Sequence, residues 1–190
     1  MAQEEGARTA GPERRLSARD LNRFNERVLP YLDAANNLAR YLLRDTHEAE
    51  DAVQDSFLRA IRHFDGFRGV DARAWLLAIV RNICFTRLRD RHGRGKNVEF
   101  DEELHTAEDA APGPEVELAR RAATESLREG LDTLAVEFRE ALVLRELEGL
   151  SYKEIAQVCD VPIGTVMSRL ARGRKLLLRA LQPPVSGEDG

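Results

Sequence analysis

Apolar positions along this chain recur at spacings of three and four, with almost no strict alternation, so the pattern predicts helices and gives almost no strand signal. A first helical segment carries Phe24, Val28, Tyr31 and Leu32, then Leu38, Tyr41 and Leu42. A second is announced by Thr46, followed three residues later by Ala49 rather than Glu, which leaves half a capping box. Its stripe is Ala49, Val53, Phe57, Ala60, Ile61 and Phe64, and Asp65, Gly66 and Gly69 break the chain after it. A third starts near Asp71 to Arg73 and carries Trp75, Leu76, Ile79, Val80, Ile83 and Leu88. These helices are expected to close a core around Trp75.

After a long unpatterned stretch come four shorter helices. Ala122, Leu127 and Leu131 mark one; Phe138, Ala141, Leu142 and Leu144 mark the next, with Gly149 placed where a helix ends. Ser151 with Glu154 three residues on makes a complete capping box for the third. Pro162 opens the fourth, which can run to about Leu181 before Pro183 and Pro184 stop it.

Charge then divides the chain. Val98 to Ala119 holds eight acidic residues and no Lys or Arg, together with Pro112, Gly113 and Pro114, and reads as a flexible acidic linker. The whole chain carries −4, so its remainder carries +4. The net acidity that argues against a generic polycation belongs to the linker. The expected architecture is all-α: two small helical domains, 21–97 and 120–182, joined by the linker 98–119, with a disordered N-terminal tail at 1–20 and a short tail at 183–190. No apolar run approaches the ~18 residues of a membrane helix, and the first twenty residues lack the apolar stretch of a signal peptide, so a soluble cytoplasmic protein is expected. Cys84 and Cys159 lie far apart, with no His or second Cys in ligand register, and the four histidines are scattered. Neither a metal nor a cofactor is expected. No nucleophile–base pair or phosphate loop is visible, which points away from an enzyme.

Ser151 to Arg174 has the layout of a helix-turn-helix. Ile155, Ala156, Val161, Val166 and Leu170 make the inner seam, and the small Ala156 permits a close crossing. Opposite it, Thr165, Ser168, Arg169 and Arg172 fall at offsets of three, four and seven and are expected to share an outward face. Their hydroxyls and guanidinium groups suit base edges and phosphates in a major groove, and Arg174, Lys175 and Arg179 continue the charge. The bland alternative is a solvated amphipathic helix with a basic end, and the caps and Gly164 weigh against it.

The N-terminal half carries a second basic feature: Arg81, Arg87, Arg89, Arg91, Arg94 and Lys96 against the single Asp90. This exceeds what dipole complementation needs and suits phosphates. In the loop before it, Phe67 and Arg68 sit between Gly66 and Gly69. Phe67 either stacks on an unpaired base or plugs the core. The preceding helix carries Glu48, Glu50, Asp51, Gln54 and Asp55, a face that is either simply solvated or fitted to a basic protein.

Three stretches carry a resemblance: AEDAVQDSFLRAI (Ala49 to Ile61), FRGVDARAWLLAIVRN (Phe67 to Asn82) and LSYKEIAQVCDVPIGTVMSRLARGRKLL (Leu150 to Leu177). In sequence, order and separation they resemble the extracytoplasmic-function (ECF) group of bacterial RNA polymerase sigma factors, over about Phe24 to Leu181. The resemblance implies a factor that binds core polymerase, reads the minus-thirty-five element with its helix-turn-helix and opens the minus-ten element with its N-terminal domain. By that resemblance Asp51, Gln54, Asp55 and Phe57 dock on the clamp helices of the polymerase beta and beta-prime subunits. Phe67, Arg68, Asn82 and Thr86 lie where the minus-ten element is captured, with Arg87, Arg89 and Arg91 on phosphates. Thr165, Met167, Ser168, Arg169, Ala171 and Arg172 lie where the minus-thirty-five element is read, with Tyr152, Lys153, Arg174 and Lys175 near its backbone. The implied partners are core polymerase, promoter DNA and an anti-sigma factor, with a monomer when free. Met167 and Thr86 depart from the family pattern, which bears on promoter sequence. Two other classes fit parts of the chain: a free-standing helix-turn-helix repressor or activator, which has no use for a docking face, and a sigma mimic that titrates an inhibitor.

Overall fold

Pro30 divides the first predicted segment in two. α1 (Ala18–Arg27) is followed by a 3-10 turn at Leu29–Tyr31, and α2 (Leu32–Leu43) begins after it. Proline has no N–H to donate and its ring meets the carbonyl four residues back, so one helix from Phe24 to Leu42 cannot form. Leu32, on the expected stripe, is exposed. The computed structural model describes residues 17–67, 69, 71–94 and 114–182. The expected tails up to 16 and from 183, Arg68, Lys96 and the linker from 98 to 113 lie outside the described residues, as does the side chain of Arg94.

α3 (Thr46–His63) is capped one residue earlier than its sequence implies. Asp45 is the N-cap, its carboxylate accepting from the Glu48 N–H at 2.8 Å, and Thr46 is already helical. Asp is as good a cap as Thr and its longer reach serves the same orphan N–H groups. A 3-10 turn (Phe64–Gly66) leads to α4 (Ala72–Arg94), whose first turn is held by Asp71 accepting from the Ala74 N–H at 3.0 Å. α2, α3 and α4 pack together over Leu38, Leu42, Ala49, Ala52, Leu76, Leu77 and Val80, all essentially inaccessible. Trp75 is not at the centre as expected. It is half-buried at the edge, within an aromatic row in which Phe67 lies 4.7 Å from it and Phe64 6.5 Å.

α5 (Pro114–Asp132) begins inside the stretch read as linker: residues 114–119 are helical. A proline whose missing N–H is an orphan anyway suits a first helical position, so Pro114 starts a helix instead of excluding one. Ala122 is exposed, and Leu131 is the residue of that stripe that reaches the core. α6 (Val136–Leu142) passes into a π-helical turn (Val143–Leu147). Gly149, at φ +66°, then ends it as its position foretold, with the Leu150 N–H donating to the Leu144 carbonyl at 2.9 Å. α7 (Tyr152–Cys159) carries the full Ser151–Glu154 capping box, with bonds of 3.3 and 2.6 Å. Asp160 turns the chain in the left-handed region at φ +53°, and α8 (Ile163–Ala180) follows. Among the described residues there is no strand, and no helix is long and apolar enough to cross a membrane.

α6 and α8 cross closely at Gly173, where an added Cβ meets Leu142 Cδ1 at 3.2 Å and the Phe138 carbonyl at 3.4 Å. Gly173→Val is therefore expected to overpack the crossing and cost about 1–3 kcal/mol. Gly164→Ala, whose Cβ meets nothing within 4 Å, should instead stabilise α8 by about 0.5–1 kcal/mol. Urea unfolding of the two variants, with opposite shifts in midpoint, checks both.

The two helical units pack on each other, α2 against α6 and α4 against α7. Three carboxylates of the C-terminal unit meet polar groups of the N-terminal one. Glu148 accepts from Arg73 Nη2 at 2.8 Å and Asn37 Nδ2 at 3.1 Å. Glu140 accepts from Arg81 Nε at 2.6 Å, and Asp132 pairs with Arg44 Nε at 3.1 Å.

Candidate nucleic-acid interface

α8 displays its outer face because its inner one is a continuous seam. Val166, Leu170 and Gly173 are buried, and a helix turns about 100° per residue, so Ser168, Ala171, Arg172 and Lys175 point away. All four are exposed, and Ser168 Oγ donates to the Thr165 carbonyl at 2.9 Å. Met167 is also exposed, an apolar group at the rim of this face, and Thr165 is half-buried. With the α7 N-terminus nearby, Lys153 is exposed and Tyr152 is half-covered by the Arg145 guanidinium, 5.2 Å above its ring.

Two of the expected contacts on α8 are otherwise engaged. Arg169 does not share the outward face: its guanidinium is largely buried and sits 3.7 Å from the Glu140 carboxylate. It follows Val166 by three and precedes Leu170 by one, and that position is the edge of the seam. Arg174 is exposed but donates to Glu146 Oε1 at 2.7 and 3.0 Å, and these hydrogen bonds hold its guanidinium above the usual range. Glu146 is therefore a neutralising neighbour that sequence spacing did not reveal.

The N-terminal ridge is mostly an internal lattice. α3 and α4 run antiparallel through a short turn, so the start of one lies beside the end of the other. Arg87 donates to Asp55 Oδ2 at 2.6 Å and to the Glu48 carbonyl at 3.1 Å. Arg91 is paired with Glu48 and donates to the Leu43 carbonyl at 3.1 Å. Both side chains are part-buried, which does not fit a free phosphate ridge; Arg89 remains exposed. Asn82 is exposed on α4, and Thr86, one turn on, is exposed but returns its hydroxyl to the Asn82 carbonyl at 2.9 Å. Phe67 resolves toward the core: it lies against Phe64 and Trp75, with Arg27 5.6 Å from its ring.

On α3, Asp51 and Gln54 are exposed one turn apart, with Asp55 beside them bonded to Arg87. Phe57 is half-buried, edge-on to Phe24 at 6.2 Å, and contributes mainly packing. Both thiols are buried, and burial pushes Cys84 and Cys159 up to about 12. Among the described residues no group of three or more His, Cys, Asp or Glu could hold a metal ion.

Residues 28–94 match the family described as Sigma-70 region 2, and residues 124–177 match Sigma-70, region 4. The chain is 34% identical over 177 residues to the RNA polymerase sigma-H factor of Pseudomonas aeruginosa, spanning 89% of this chain and 91% of that one. It is 34% identical over 179 residues to the ECF RNA polymerase sigma-E factor of Haemophilus influenzae, spanning 89% and 93%. Of solved structures, it is similar to the sigma factor RpoE of Bartonella quintana in complex with the anti-sigma factor NepR, with a TM-score of 0.70 and 28% identity over 84% of this chain and 97% of that one. It is also similar to CnrH in complex with the cytosolic domain of CnrY, with a TM-score of 0.58 and 27% identity over 85% and 88%.

Proposed function

Because this chain belongs to the ECF sigma factors of bacterial RNA polymerase, which direct promoter-specific initiation, we propose that it docks on polymerase through the Asp51–Gln54 face of α3 and reads DNA through the outer face of α8. The observation that carries this reading is the exposed row Ser168, Ala171, Arg172 and Lys175 on the second helix of a closed helix-turn-helix. Arg172 is suited to the bidentate pairing that distinguishes guanine from other bases, and Lys175 to a phosphate. Ala171 and Met167 suit the thymine methyl. Asn82 and Arg89 on α4 serve the minus-ten element, where unpairing costs a few kcal/mol and capture of the freed base offsets it. The polymerase makes every bond; this chain supplies position.

The packed arrangement of the two domains does not fit a promoter. Elements about 25 base pairs apart lie about 85 Å apart on B-form DNA at about 3.4 Å per pair. A compact chain of this length has a radius of gyration of only about 16 Å. The domains must part to engage both elements, and the nineteen residues 95–113 reach at most about 65 Å. An anti-sigma factor, present with the solved Bartonella relative, suits this chain too as the partner that keeps it from polymerase. It works where polymerase and DNA are, in the bacterial cytoplasm.

Transcription in vitro with core polymerase and a randomised promoter library tests the reading. The chain should direct new start sites that share two elements at fixed separation. Arg172→Ala should then lose about 1–3 kcal/mol at one position of the upstream element, and Lys175→Ala should weaken all sequences alike and flatten the salt dependence. No new start site with a folded chain contradicts the proposal.

A further inference from the structure

Glu140 meets an arginine of the N-terminal domain and another of α8. It lies on α6, wholly inaccessible. Its Oε1 accepts from Arg81 Nε of the N-terminal domain at 2.6 Å. Its Oε2 points toward Arg169 Nη1 on α8, but at 3.7 Å, beyond hydrogen-bond reach. Those two atoms, Glu140 Oε2 and Arg169 Nη1, are both buried without a hydrogen-bond partner. Arg81 is itself fixed, its guanidinium 4.3 Å over the Phe85 ring.

This arrangement is unbalanced in a specific way. A buried carboxylate keeps a charged or hydrogen-bonding partner because an unpaired one carries a large desolvation cost. When the domains part, Arg81 leaves with α4. The cation left beside it is Arg169, already ion-paired with it at 3.7 Å and needing to close by less than 1 Å to hydrogen-bond; the Cys159 thiol, also of the C-terminal domain, is a second and weaker donor. Both Glu140 and Arg169 belong to the C-terminal domain, so this second pairing survives separation.

We propose that Glu140 is a positioning residue that is handed from Arg81 to Arg169 as the domains separate, coupling release of the N-terminal domain to the seating of the recognition helix. Closed, Glu140 hydrogen-bonds Arg81 of α4 and holds Arg169 only as a longer ion pair, with Arg169 Nη1 making no hydrogen bond. Open, Glu140 fixes the Arg169 guanidinium against α6, which sets the side chains one turn either side of it, Thr165 and Arg172, for DNA. The proposal rests on the reading of α8 as the DNA-facing helix.

The test uses the full-length chain, free of polymerase, and a short duplex carrying the upstream element recovered from the promoter library. Arg81→Ala, at the domain surface, removes the closed-state partner and leaves the C-terminal domain intact. It should raise the radius of gyration in X-ray scattering, slow hydrogen exchange at the Arg169 guanidinium by NMR, and tighten duplex binding about tenfold as the open fraction grows. Glu140→Gln should also expand the chain but bind the duplex less tightly than Arg81→Ala, because an amide holds Arg169 without its charge. Unchanged compactness in Arg81→Ala, or unchanged or faster exchange at Arg169, overturns the handover; Arg81→Ala reports alone if Glu140→Gln does not fold. Equal duplex affinities of the two variants overturn it as well. If Arg172→Ala leaves duplex affinity untouched while Arg81→Ala still protects Arg169, the reading of α8 fails and the handover stands.

Discussion

Asp51→Arg is expected to weaken binding to core polymerase about a hundredfold or more while leaving the unfolding midpoint of the free chain unchanged. Asp51 is exposed on α3, so its reversal costs no buried partner and no packing. At a charged interface the same change places like charges together, where each lost or repelled pair is worth about 2–5 kcal/mol, and about 2.7 kcal/mol is a hundredfold. Gln54→Arg, one turn along the same face, should act in the same direction. Asp55 is the wrong residue for this experiment although it lies beside them: it is bonded to Arg87, so its loss also loosens α3 from α4. Fluorescence-anisotropy titration of labelled chain with core polymerase, beside a urea curve for each variant, separates docking from folding. Equal affinity of Asp51→Arg and wild type would place the docking surface elsewhere.

Leu170→Ala should destabilise the C-terminal domain by about 2–5 kcal/mol, against a total of about 5–15 kcal/mol for a typical domain. Leu170 is 1% exposed, on the buried seam of α8 with Val166, and α8 packs on α7, whose Ile155 is also buried. Three lost carbons there leave a cavity that helices already in close contact at Gly173 fill poorly. The consequence should be selective. Upstream-element binding disappears as α8 loses its orientation, yet docking through α3 persists because α2, α3 and α4 have their own core. Duplex binding and polymerase titration of the same variant report the two halves separately; joint loss of both would mean that the two cores unfold as one unit.

The helices were legible where local chemistry decides them. The Ser151–Glu154 box, Gly149 past its helix and the Val166–Leu170 seam each follow from a few neighbouring residues, and the structure has all three. Periodicity failed where a single residue overrode it: Pro30 split a helix and Pro114 began one. The charges were read less well, for a different reason. A row of arginines looks the same in sequence whether it faces DNA or a neighbouring helix. Arg87 and Arg91 turned inward because α3 returns its acidic start to the end of α4, a match visible only once the hairpin is drawn. Arg81–Glu140 and Arg73–Glu148 join residues 59 and 75 apart, and no periodic signal spans that distance. Membership in the family was carried by three stretches in register, and both family matches fall on them.

That this chain is closed when free and spread when it works is the claim on which the rest depends. Pulsed dipolar spectroscopy between spin labels at Arg59 on α3 and Arg179 on α8, both exposed, measures it directly. Free chain should give one short distance, and addition of core polymerase with promoter DNA should replace it by a longer one, greater by tens of ångströms as the two elements require. A distance that is the same free and on the promoter would contradict the account.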